Sequence, residues 1–107
     1  SKYIKEITME PIKTVALPTQ SVILVKVSAV SKPSAVAGAI AGIMRDNGKV
    51  AVQAIGAGAV NQAVKALIMA KKFLVQDDMI IAFTPDFLDV EIEDIVRTAI
   101  RFEVFQI

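Results

Sequence analysis

The sequence predicts an α/β chain of the two-layer α+β kind, in the order β-α-β-α-β-β, with a four-stranded mixed sheet and two helices on one face. Three observations predict it. The β-branched run at 22–29 and the alternating run at 49–55 are each followed by an amphipathic helical pattern. A strand, a crossover helix and a second strand imply parallel pairing. The residues after 79 return to period-two alternation, so an antiparallel pair closes the sheet.

Residues 1–20 are set apart as an arm. Ile4, Ile7, Ile12, Val15 and Leu17 are interrupted by Pro11 and Pro18. Proline neither donates to a ladder nor fits a helix interior, so an extended arm or an edge strand is expected. Residues 21–107 form the domain. Val22 to Ala29 reads as a strand buried on both faces. Ser31-Lys32-Pro33-Ser34 ends it, with proline suited to a first helical turn and Ser31 or Ser34 as candidate caps.

The first helix is expected at about 34–47. Val36, Ile40, Ile43 and Met44 form one apolar stripe. Gly38 and Gly42 stand one turn apart, each costing about 1 kcal/mol relative to alanine. That cost suggests a backbone packed close to their face. Gly48 supplies a left-handed cap. After the strand 49–55, Gly56-Ala57-Gly58 turns into a second helix at about 59–74. Val60, Ala63, Val64, Leu67, Ala70 and Leu74 make its buried stripe. Asn61, Gln62, Lys65, Met69 and Lys72 fall within roughly 100° on another side, at 100° per residue. A third strand runs from Met79 to Phe83 and is expected to stop at Thr84-Pro85. Residues 87–92 and 97–105 alternate as a hairpin with Glu93-Asp94 at its tip. Two helices cover one sheet face only, so the other needs a cover: a second copy, or the arm.

Composition narrows function. The 107 residues contain 54% apolar residues, which excludes intrinsic disorder. No uncharged apolar run is long enough to span a membrane, and no charged-then-apolar leader opens the chain. There is no Cys and no His. The usual nucleophile–base pairs, thiolate zinc sites and imidazole ligands are therefore missing, and the chain is not expected to be an enzyme. No cofactor, no metal and no small-molecule substrate are expected.

The net charge of +1 hides a division. Residues 21–75 carry Lys26, Lys32, Arg45, Lys49, Lys65, Lys71 and Lys72 against Asp46 alone. Residues 76–107 carry Arg97 and Arg101 against Asp77, Asp78, Asp86, Asp89, Glu91, Glu93, Asp94 and Glu103. A basic surface for a polyanion with an acidic lobe elsewhere is one reading; ordinary solvated charge is the other. Gly58, opening a helix, offers free N–H groups and a dipole to a phosphate. The third glycine of the dinucleotide fingerprint is missing, so a tight strand-to-helix turn is the better account of Gly56 and Gly58. Asp89, Glu91 and Glu93 would share one strand face, as a hard-cation site or as an acidic edge that resists aggregation. The five Phe residues read as core, so stacking on bases is not expected.

Four segments carry a family resemblance: Val27-Ser28-Ala29, Ser31 to Ser34, Val36 to Gly42, and the long stretch Gln53 to Ala66 (QAIGAGAVNQAVKA). With Arg97-Thr98-Ala99-Ile100, they resemble the stage V sporulation protein S family over about residues 22–105. The resemblance implies an Alba-like fold and a small cytoplasmic bacterial protein associated with sporulation. It also implies binding of the DNA or RNA backbone by a homodimer or larger oligomer. On that basis the nucleic-acid-binding residues expected are Lys32, Gly58, Asn61, Gln62, Lys65, Lys72 and Arg97. In Alba proteins the corresponding segments carry more basic residues. Asn61-Gln62 stands where one is expected, and the hairpin is acidic rather than basic. A protein-interaction module that keeps the fold without nucleic-acid binding is the alternative.

Overall fold

A computed structural model describes residues 3–9, 12–16 and 22–107. The elements are β1 (Tyr3–Met9), β2 (Ile12–Ala16), β3 (Val22–Val27), α1 (Pro33–Asn47), β4 (Lys49–Ala54), α2 (Ala57–Val75), β5 (Ile81–Ile92) and β6 (Ile95–Gln106). From β3 onward this is the expected β-α-β-α-β-β order. The sheet runs β2-β1-β3-β4-β6-β5. Its four domain strands are mixed, with β3 and β4 parallel and β6 antiparallel to both β4 and β5. The arm joins the same sheet. β1 lies parallel to β3 and β2 lies antiparallel to β1, so the arm adds two strands and β2 forms the margin. No helix among the described residues is long and apolar enough to cross a membrane.

The two helices cover one sheet face, as period-two alternation requires. Val25, Val50, Val52, Phe102 and Val104 point to them and pack with Val36, Ile40, Met44, Leu67 and Leu74. On the opposite face Leu24 and Ala51 are also buried and form a small cluster with Val22.

Four expectations need correction. β5 runs unbroken through Thr84 and Pro85, with Pro85 in register with Phe102. β5 has a neighbour on one side only, where a missing N–H is tolerated. α1 is not capped by a serine side chain: Lys32 is its N-cap residue, in extended conformation and without a side-chain cap bond. The Phe residues are not all core. Phe102 packs edge-on against Phe83 with ring centroids 6.3 Å apart, whereas Phe73, Phe87 and Phe105 are exposed.

The fourth concerns Gly38 and Gly42. A Cβ built on either meets nothing within 4 Å, so no backbone packs against them. The small residues on the buried helix faces are alanines instead: Ala37 and Ala41 on α1, and Ala59, Ala63, Ala66 and Ala70 on α2. Gly48 does cap α1 as expected, with φ 75° and its N–H donating to the Met44 carbonyl at 2.8 Å. Gly38→Ala and Gly42→Ala should therefore each stabilise the fold by about 0.5–1 kcal/mol, read as a higher urea midpoint at unchanged slope. A loss of stability in either variant would show a close contact that this packing lacks.

Candidate nucleic-acid interface

Because β3 and β4 are parallel neighbours, both strand-to-helix loops emerge at the same sheet margin. One is Ser28–Lys32, leading into α1; the other is Ile55–Gly56, leading into α2. The two are packed together. A Cβ on Gly58 would lie 3.0 Å from the Ala29 Cβ, so only glycine allows this approach without a shift. Gln62 on α2 donates its Nε2 to the Ser31 carbonyl at 2.9 Å. Ser31 is 1% exposed, and its Oγ accepts the Ser28 N–H at 2.9 Å, closing the turn. Its hydroxyl thus shapes the loop rather than capping α1.

Electrostatically this margin is positive. Both helices begin here, neither has a side-chain cap, and neither has an acidic residue in its first turn. The free N–H groups and the aligned dipoles favour negative charge. Lys32 is exposed at the start of α1. On α2, Gly58, Asn61, Gln62, Lys65 and Lys72 occupy one flank by helical spacing, the flank that meets the Ser28–Lys32 loop. Lys65 and Lys72 are exposed. From Gln62 to Lys72 the flank extends about 15 Å at 1.5 Å per residue.

The structure does not bring every expected residue here. Arg97 lies on β6 in register with Val90, and by alternation with Ala99 and Arg101 it sits on the sheet face turned away from the helices. Lys26 and Lys49 belong to that same far face. Lys71 falls on the other flank of α2. Arg45 donates to Asp77 at 2.8 Å, tying the end of α1 to the turn after α2. The cations of residues 21–75 are therefore divided: Lys32 stands at the helix starts, Lys65 lies about two turns along α2 and Lys72 in its last turn.

The first turns of the opposite flank of α2 are apolar, with Val60 and Val64 ahead of Lys71. With the outer hairpin they enclose a groove of about 560 Å³ lined by Ala57, Val60, Asn61, Val64, Phe87 and Ile100, among others. Phe87 is 81% exposed. Sequence reasoning missed this groove because Phe87 was grouped with the core. Its position one residue ahead of the Leu88-Val90-Ile92 alternation marked it as facing the other way. The hairpin tip departs from expectation too. Glu93 and Asp94 have φ of 51° and 66° and form a two-residue turn, so Glu93 does not continue the strand face of Asp89 and Glu91. Asp89 accepts from the Thr98 hydroxyl at 3.1 Å, and among the described residues no group of three carboxylates could hold a metal ion.

The Gln62→Leu variant should lose about 1 kcal/mol through the orphaned Ser31 carbonyl. That is a drop in melting temperature of about 4–8 °C, and an unchanged melting temperature would show that the loop is held by other contacts.

A comparison with family models gives a match over most of the chain. The model described as Stage V sporulation protein S (SpoVS) covers residues 23–107, from the second residue of β3 to the last residue of the chain, and leaves β1 and β2 outside it.

Proposed function

From the premise that this chain belongs to the stage V sporulation protein S family, we propose that it is a non-enzymatic protein that binds the DNA or RNA backbone without sequence specificity, as an oligomer. The observation that carries this reading is the margin where two uncapped, acid-free helix starts meet beside Lys32. Gln62, Asn61 and the N–H of Gly58 add neutral donors, and Lys65 and Lys72 continue the cationic flank. Such contacts fix a backbone without reading bases. Arg97 would take part only if a neighbouring copy brought its far face to the same strand.

The apolar groove beside α2 supports self-association. It carries an exposed aromatic side chain next to aliphatic ones, the make-up of an interface centre. A second copy there would leave the basic flank of each α2 free. The acidic outer hairpin, with Ile92, Ile95 and Val96 exposed beside Asp89, Glu91 and Glu93, favours the second reading, a docking element for a protein partner.

Fluorescence anisotropy with labelled duplex and single-stranded DNA and RNA at graded salt separates the two. Three lysines per protomer predict that log K falls with log[salt] at a slope of about −3 for each protomer's footprint. Lys32→Glu with Lys65→Glu should remove most of the binding while leaving the circular dichroism spectrum unchanged. Absence of binding at ~50 mM salt would leave the protein-docking reading in its place.

A further inference from the structure

Among the described residues, Gln53 is the buried side-chain amide of the sheet, and neither helix uses it. It lies on β4 in register with Lys26 of β3 and Arg101 of β6, on the face away from the helices. It is 6% exposed. Its Oε1 accepts from Arg101 Nη2 at 2.7 Å and Nε at 3.3 Å. Arg101 can only donate, so the oxygen must face it and the orientation of the carboxamide is fixed. The Nε2 group then holds two N–H donors with no hydrogen-bond partner among the described residues. A buried donor without an acceptor is costly and calls for an explanation.

Gln53 lines a cavity of about 240 Å³ together with Lys26, Val27, Ser28, Ala29 and Ile55. The walls are mostly aliphatic. Lys26 is the charged residue of the lining and Arg101 holds Gln53, while Asp86, in register with Arg101, and Glu103, two residues along β6, stand outside the lining. The cavity therefore offers an amide donor within mostly aliphatic walls, which suits an acceptor carried on an apolar body. It also shares Ser28 and Ala29 with the loop that ends at Lys32, so a strand whose phosphate sits at Lys32 passes beside it.

We propose that this cavity receives an unpaired nucleobase bearing a ring carbonyl, whose oxygen accepts from Gln53 Nε2. This rests on the backbone-binding reading and deepens it, making single-stranded nucleic acid the preferred ligand. Adenine offers only ring nitrogens as acceptors, and with Gln53 Oε1 held by Arg101 the two-bond N6/N7 pairing of an amide with adenine is closed to it, so adenine is disfavoured. In a duplex the base is paired and stacked and does not reach the cavity.

The test compares short oligo(dT), oligo(dA) and their duplex by anisotropy, using the full chain at one salt concentration. Oligo(dT) should bind about fivefold more tightly than oligo(dA), the worth of one net hydrogen bond. Gln53→Glu keeps oxygens for Arg101 and replaces the donor nitrogen by oxygen. It should abolish the preference and leave the salt slope unchanged. Equal affinities for oligo(dT) and oligo(dA), or a preference that survives Gln53→Glu, would overturn the proposal while the backbone reading stands. An independent measurement on the unaltered protein is the NMR shift of the Gln53 side-chain amide protons. Thymidine should move them and deoxyadenosine should not; no shift with thymidine would overturn the proposal whatever the oligonucleotides do.

Discussion

Parallel pairing of β3 with β4 is the constraint from which the rest follows. Two adjacent parallel strands, each followed by a helix on the same face, must send both helices off from one margin. The helix starts cannot then avoid each other, and their unsatisfied N–H groups are concentrated in one place. The chain answers that concentration with small side chains at the point of contact, Gly58 against Ala29, and with one cross-tie, Gln62 to the Ser31 carbonyl. It does not answer with an acidic cap on either helix. A margin built this way is positive before any lysine is counted.

α2 separates two tasks by its two flanks. Its buried centre is a row of alanines and leucines that lets the helix sit low on the sheet and against α1. The flank toward the Ser28–Lys32 loop carries the polar and cationic residues. The flank toward the hairpin carries Val60 and Val64 and faces Phe87 across the groove. Under the proposed function, nucleic-acid contact and subunit contact would use two flanks of one helix, with Asn61 on the border between them.

Much of this was legible because periodicity reports burial. The stripes Val36-Ile40-Ile43-Met44 and Ala63-Leu67-Ala70-Leu74 placed both helices to within two residues of their observed ends. The polar flank of α2 could be read from spacing alone. What could not be read depends on neighbours. Proline at position 85 signals a strand break unless the strand lies at a sheet margin, and strand order is not written locally. Gly38 and Gly42 looked like packing glycines, but the helix turns them to open space. Gln53 is a polar residue within the alternating run 49–55, and only its register with Arg101 makes it a buried, oriented amide. The division of the lysines between two faces likewise follows from topology, since neighbouring positions in a strand face opposite ways.

The position of β6 has a temporal consequence. The strand latest in the chain lies between β4 and β5, and Gln53 finds Arg101 across 48 positions of sequence. The preceding elements can collapse into a helix-covered pair of strands, but β5 has no neighbour until β6 inserts. Closure of such distant pairs is slow compared with helix formation. During synthesis on the ribosome, the nascent chain therefore carries β5 unpaired, with Ile81, buried in the folded domain, in the open, until the final dozen residues of the sheet emerge.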